Sequence, residues 1–129
     1  MKHKNFYIAI AVVLLGSLTA VHAQQKKDIN PKITFVELGS VKCIPCQKMQ
    51  PVMKSIEGKY GDQIKVVFHD VWKEDQKQYA AKYGIKLIPT QVFLDSTGKE
   101  FFRHEGFYPE AEIDKLLQKR GLKPIAMKE

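Results

Sequence analysis

Hydrophobic positions in this chain change their period several times, and each change marks an element. Ile33 to Leu38 (Ile-Thr-Phe-Val-Glu-Leu) is β-branched and almost continuously apolar, as expected of a strand covered on both faces, with Glu37 as its one interruption. Cys46, Met49, Met53, Ile56 and Tyr60 then recur at the spacing of one helix face. Gly58 and Gly61 predict the end of that helix. Pro51 inside it predicts a kink, because its ring removes an amide donor and crowds the carbonyl four residues back. Ile64 to Asp70 reads as a second strand, followed by a helix with Asp75 as its cap, Tyr79, Ala80 and Tyr83 on its apolar side and Gly84 as its stop. Thr90 to Asp95 and Lys99 to His104 are two strands joined by Ser96-Thr97-Gly98, a connection so short that only an antiparallel hairpin can use it. The last helix starts at Pro109. Ile113, Leu116 and Leu117 form its stripe, Glu110 and Glu112 sit at its positive end, Lys119 and Arg120 at its negative end, and Gly121 follows. The order β-α-β-α-β-β-α makes the chain an α/β protein, a central mixed sheet of about four strands flanked by helices.

Upstream the pattern is of another kind. Lys2, His3 and Lys4 precede Phe6 to Val21, a run without charge, and Val21-His22-Ala23 has the small-x-small form that a signal peptidase accepts. Residues 1–23 are therefore expected to be an export signal cleaved after Ala23. The rival is an uncleaved anchor. Its uncharged run falls short of the ~20 residues a span needs and contains Gly16, Ser17 and Thr19. A lipid-modified start is disfavoured because no Cys lies near the cut. Residues 24–32 read as a flexible lead-in, 33–123 as one folded domain and 124–129 as a tail.

Cleavage leaves 106 of the 129 residues and, since Lys2 and Lys4 go with the leader, lowers the net charge from +7 to +5. That length supports one core. Hydrophobic residues at 44% and charged residues at 27% exclude wholesale disorder. The lysines are scattered rather than clustered, so no nucleic-acid partner is expected, and the basic balance at most favours acidic partners or a membrane surface.

Two cysteines exclude a disulfide-dense scaffold and a four-thiolate zinc site. They form Cys43-Ile44-Pro45-Cys46 at a strand–helix junction. This spacing puts the first sulfur at the exposed tip, where free amides and the helix dipole favour a thiolate, and the second one turn deeper. Cys43 is then the nucleophile and Cys46 the resolver. A purely structural disulfide would close a very short loop, worth about 2 kcal/mol against ~3 for a loop of about 15 residues. Zinc would need two further ligands, and His69 and His104 lie 35 residues apart. Covalent haem is excluded because Gln47 follows the second Cys. Binding of a soft ion such as Cu(I) stays open beside thiol-disulfide exchange, the reading the motif favours.

With these residues identified, Ile33 to Gly121 resembles the thioredoxin-like family, specifically its exported members. Pro51, five residues after Cys46, matches the family's proline in the active-site helix. Lys82-Tyr83-Gly84-Ile85-Lys86-Leu87-Ile88-Pro89-Thr90 resembles its approach to the cis-proline loop, and Gly98 and Gly106 fall where it has glycines. Glu37, six residues before Cys43, matches its buried carboxylate, usually Asp. The resemblance implies a thioredoxin fold with a cis Ile88–Pro89 bond that leaves no amide hydrogen against the sulfurs. It also implies that the Ile88 backbone pairs with an extended substrate segment, with Ile44, Pro45 and Lys42 completing the client-contacting surface. A buried Glu37 of raised pKa would take the proton from Cys46.

The chain also departs from the family. Gly39 and Lys42 stand where it has tryptophans, leaving a smaller and more basic surface, and Trp72 lies far along the chain. The family's lysine beside the buried carboxylate has no evident counterpart. Only about nine polar residues precede Ile33 after the expected leader, so the first strand and helix of full-length thioredoxin are not expected here. The implied function is a periplasmic thiol-disulfide oxidoreductase that reduces protein disulfides as a monomer, with no bound cofactor and no metal. A membrane thiol-disulfide transporter would supply its electrons, and its clients would be apocytochrome c or other exported proteins. A disulfide donor or isomerase, or a non-enzymatic copper-carrying module, stands as the alternative.

Overall fold

The computed structural model describes residues 30–125, so the expected export signal, most of the lead-in and the last four residues lie outside the described residues. The elements are β1 (Ile33–Gly39), α1 (Ile44–Tyr60), β2 (Ile64–Asp70), α2 (Gln78–Lys82), β3 (Thr90–Asp95), β4 (Glu100–Glu105) and α3 (Glu110–Lys119). A single 3₁₀ turn, Gly61–Gln63, follows α1. The strands form one mixed sheet in the order β2-β1-β3-β4. β1 runs parallel to β2 and antiparallel to β3, and β3 pairs antiparallel with β4. Both the expected element order and the closing hairpin are present.

Successive residues of β1 face opposite sides of the sheet. Ile33 and Phe35 pack with Met49, Met53, Ile56 and Tyr60 of α1, Phe93 of β3, and Ile113 and Leu117 of α3. Phe35 stacks on Phe93 with ring centroids 4.7 Å apart. On the other side Val36 and Leu38 pack with Val71 and Val92, and with Tyr79 and Ala80 of α2. Burial on both faces is why β1 reads as an unbroken apolar run rather than an alternation. Lys59 Nζ donates to Glu110 Oε1 at 2.7 Å and to Asp114 Oδ2 at 2.6 Å, and the Tyr60 hydroxyl donates to Asp114 Oδ1 at 2.9 Å. This cluster locks the end of α1 to the start of α3.

Several boundaries differ from the sequence reading. α2 spans five residues, with Lys77 rather than Asp75 at its N-cap. The preceding segment is held in turns, with Gln76 and Lys77 amides donating to the Lys73 carbonyl and Gln76 Oε1 accepting from the Asp70 amide. Gly58 lies inside α1, and Gly61, with φ of 52°, ends it. β4 begins at Glu100 because the Lys99 carbonyl is used to close the turn on the Asp95 amide, and the register shifts between Phe93 and Leu94. Pro51 sits within α1 on its exposed side. No helix among the described residues is long and apolar enough to cross a membrane.

Leu117 is fully buried between α3 and the sheet. Leu117→Ala is expected to cost about 2–5 kcal/mol, the lost transfer energy plus the cavity left behind. In urea unfolding the midpoint should fall with the slope unchanged. A loss below about 1 kcal/mol would mean that α3 does not close this core.

Candidate active site

Strand directions bring four loops to one end of the sheet. β1 and β2 finish there, with Gly39 opposite Asp70, while β3 begins and β4 ends there, with Thr90 opposite both Leu38 and Glu105. Cys43, the residues around Trp72, the Ile88–Pro89 bond and Phe107 therefore all belong to this end.

The β1–α1 loop is fixed from beneath by a buried side chain. Asp70 Oδ2 accepts the Val41 amide and Oδ1 the Trp72 amide, each at 3.2 Å, so one carboxylate ties two loops together. Burial pushes the Asp70 carboxyl up, but the Val41 amide, the Ser40 hydroxyl and the Trp72 amide outweigh it and hold it below the usual carboxylate range. The Cys43 amide donates to the Ser40 carbonyl at 3.1 Å, and Gln47 Nε2 reaches back to the Val41 carbonyl at 2.8 Å. Cys43 thereby occupies the N-cap of α1 in extended conformation (φ −92°, ψ 122°), with Pro45 in the first turn. The two thiols are free, and the order of exposure is as expected but narrow: Cys43 is 8% exposed and Cys46 fully buried. Cys43 is thus a slot in the surface rather than a projecting tip.

Cys46 lies against the sheet above β1. A Cβ on Gly39 would meet both Cβ and Sγ of Cys46 at 3.1 Å and the Phe68 ring at 3.4 Å, so glycine leaves the space that the thiol fills. Glu37, two residues earlier on the same face of β1, is fully buried. Burial pushes its carboxyl up to about 8, partly countered by Gln91, whose Nε2 donates to Oε1 at 3.4 Å. The Cys46 thiol is pushed up to about 12, first by burial, then by its hydrogen bond with Cys43, with the charges of Cys43 and Glu37 adding to it and the Ser40 backbone opposing it. Thiolate and carboxylate charges thus oppose one another in a shared, water-poor space.

The Ile88–Pro89 bond is cis. The Thr90 hydroxyl donates to the Leu87 carbonyl at 2.8 Å, and the Gly106 amide donates to the Pro89 carbonyl at 2.8 Å, which joins this loop to the end of β4. Lys42, Ile44 and Pro45 are exposed, whereas Ile88 is half-buried and Pro89 buried. Sequence reasoning missed three residues. Gln91 is legible in the sequence only as a polar interruption of β3. Asp70 read only as a strand end. Trp72, 60% exposed, belongs to the reactive end, as do the exposed Val41, Ile44, Leu87 and Phe107. Among the described residues no cluster of three His, Cys, Asp or Glu is placed to hold a metal ion.

A family model described as a thioredoxin-like domain matches residues 19–121. The chain is similar to the thioredoxin of Bacillus subtilis, 32% identical over 77 residues, covering 60% of this chain and 71% of that protein. It is 33% identical over 82 residues to the chloroplastic thioredoxin Y of rice, covering 64% of this chain but only 47% of that longer protein. Among solved structures, a thioredoxin h from Nicotiana alata superposes with a TM-score of 0.59 at 30% identity, covering 69% of this chain and 73% of that one.

Because Glu37 keeps its proton in the fold up to about pH 8, while an unfolded Glu loses it near 4.5, the folded state binds more protons throughout that window. Stability of the reduced protein is therefore expected to fall as pH rises from about 5 to 8, by an amount on the order of a few kcal/mol, and Glu37→Gln should flatten the fall. Urea midpoints measured across this range check it. Parallel pH profiles for wild type and variant would show that Glu37 titrates normally.

Proposed function

The chain belongs to the thioredoxin-like family and is a thiol-disulfide oxidoreductase, and from that premise we propose that it is an exported reductant of protein disulfides. Proteins of this family act on disulfide-bearing substrates through a cysteine pair and without a bound cofactor. The observation that carries the reading is the pairing of a surface slot at Cys43 with a buried thiol, Cys46, one helical turn beneath it beside a buried carboxyl.

In this mechanism the Cys43 thiolate attacks a client disulfide, the client's S–S bond breaks, and one client sulfur leaves as a thiolate that takes a proton from solvent while a Cys43–client disulfide forms. Glu37, in the fraction that is ionised, then takes the Cys46 proton, so the buried site carries one negative charge before and after the transfer. Cys46 sulfur attacks Cys43 sulfur, the Cys43–Cys46 disulfide closes, and the second client sulfur departs as a thiolate, with the proton held by Glu37 returning to it or to solvent. The client gains two electrons and the pair loses them. Once Cys43 is engaged in the mixed disulfide, its share in holding the Cys46 proton is removed, which favours resolution at that moment.

Ile88, Pro89, Ile44, Pro45 and Lys42 lie at the same end of the sheet as the pair, and an extended client segment added along the Ile88 backbone is the partner this reading implies. The exposed Val41, Leu87, Phe107 and Trp72 widen that apolar rim. Export rests on the basic start, the uncharged run and the Val21-His22-Ala23 site. In an oxidising compartment the pair needs a source of electrons across the membrane, so a membrane thiol-disulfide transporter is the fitting donor and exported proteins the fitting clients. A monomer suffices for the chemistry.

Cys46→Ser is expected to leave mixed disulfides on Cys43, identifiable from intact cells after acid quenching, whereas Cys43→Ser should abolish exchange. If Cys46 proved the more alkylation-reactive thiol of the reduced protein, the two roles would be reversed.

The potential is expected nearer the thioredoxin value of about −270 mV than a strong oxidant's value of about −120 mV. Neither Ile44 nor Pro45 offers a side-chain donor to a Cys43 thiolate, Pro45 removes one first-turn amide, and no side-chain cap bond is made at Cys43. Equilibration with glutathione decides this, and a value above about −170 mV would exclude a reductant.

A further inference from the structure

We propose that Gln91 is the positioning residue for Glu37, its amide holding one carboxylate oxygen so that the other stays free for the proton of Cys46. The inference rests on the role given to Glu37 above and extends it to a residue that neither reacts nor touches the client.

Three observations carry it. First, β3 places Gln91 directly opposite Glu37 on β1, and residues paired this way share a face of the sheet. Both side chains are fully buried. Second, the hydrogen bonding is asymmetric. Gln91 Nε2 donates to Glu37 Oε1 at 3.4 Å, while Glu37 Oε2 and Gln91 Oε1 have no partner. Buried polar atoms left unpaired are costly, and an apolar side chain at position 91 would suit a strand that continues Val92-Phe93-Leu94. Third, the unpaired Oε2 belongs to a carboxyl whose charge acts on Cys46, whose Sγ fills the space above Gly39 on this same face.

The surroundings leave the positioning to Gln91. From β2, Phe68 stands opposite Glu37 and brings no charge or hydrogen bond. From α1 comes the thiol of Cys46, with Cys43 at the N-cap acting on it. From β4, His104 lies one strand beyond, opposite Gln91, with its ring stacked on Tyr108 and Nε2 engaged 3.2 Å from the Phe107 carbonyl. A donor on Oε1 stabilises the carboxylate, the form able to accept a proton, and leaves Oε2 without a competing partner.

Stopped-flow reaction of the reduced full-length protein with Ellman's reagent separates the two steps. The first thionitrobenzoate released reports attack by Cys43, and the second reports resolution by Cys46. In wild type the second phase should rise with a midpoint near pH 8, where the Glu37 carboxyl titrates. Glu37→Gln should lose that midpoint. Gln91→Met keeps shape but cannot donate. It should leave the first phase unchanged, move the midpoint of the second up by about half to one pH unit, and slow resolution at pH 7 by about two- to fivefold, the stronger base partly offsetting its smaller ionised fraction. At pH 5 to 6 the same variant should be as stable as wild type or more so, an outcome that a merely structural glutamine would reverse.

A carbon-13 titration of the Glu37 carboxyl in Gln91→Met, or in Gln91→Asn if the first variant folds poorly, reads the same shift without turnover. If Glu37→Gln keeps the wild-type midpoint, the role of Glu37 fails whatever Gln91 does. If Glu37→Gln loses it while Gln91→Met and the carboxyl titration stay at the wild-type value, Gln91 is not a positioning residue.

Discussion

One constraint governs the reactive end of this molecule: an ionisable carboxyl is held without water in a strand covered on both faces. Glu37 can stay there only while it is neutral or while its charge is shared with neighbours, because desolvation penalises the isolated carboxylate heavily. The two-sided covering that creates the penalty is also what makes β1 the centre of the fold. α1 and α3 close one face and α2 the other, so the strand that leads into the CxxC motif is the most enclosed element of the sheet.

The chemistry follows from that enclosure. A thiol buried beside a carboxyl cannot become a thiolate while the carboxyl is also ionised, because the two charges would face each other across a low-dielectric space. In the proposed mechanism, a proton moving from sulfur to an ionised Glu37 would leave the total charge of the pocket unchanged. Cys43 stands outside this economy. At the helix N-cap it meets the surface through a narrow opening, so the two sulfurs lie in different surroundings although they are one helical turn apart.

Much of this was legible in the sequence because hydrophobic periodicity and the CxxC spacing are local signals. Cys46, Met49, Met53, Ile56 and Tyr60 are the buried residues of α1, as their spacing predicts. Glu37 stood out as a charge in an apolar run, and the run was apolar because both faces are covered. What was illegible depended on pairing. Gln91 gains its meaning only from the register that sets it opposite Glu37, and Asp70 only from the two loop amides it accepts. Asp75 misled because a capping side chain is a local preference, and the turns anchored by Asp70 and Gln76 override it.

The same pairing logic gives the departures from the family a physical sense. With no side chain at Gly39, Cys46 and the Phe68 ring occupy the space that a larger residue would need, and the β1–α1 loop loses aromatic bulk. Bulk at this end comes instead from the β2–α2 loop, where Trp72 is 60% exposed. These are not independent changes, since the Asp70 carboxylate that accepts the Trp72 amide also accepts the Val41 amide. A single buried anion thus sets the positions of the loop carrying Cys43 and of the loop carrying the indole. Any partner that presses on Trp72 therefore presses on a loop bonded to the same carboxylate that holds the approach to Cys43.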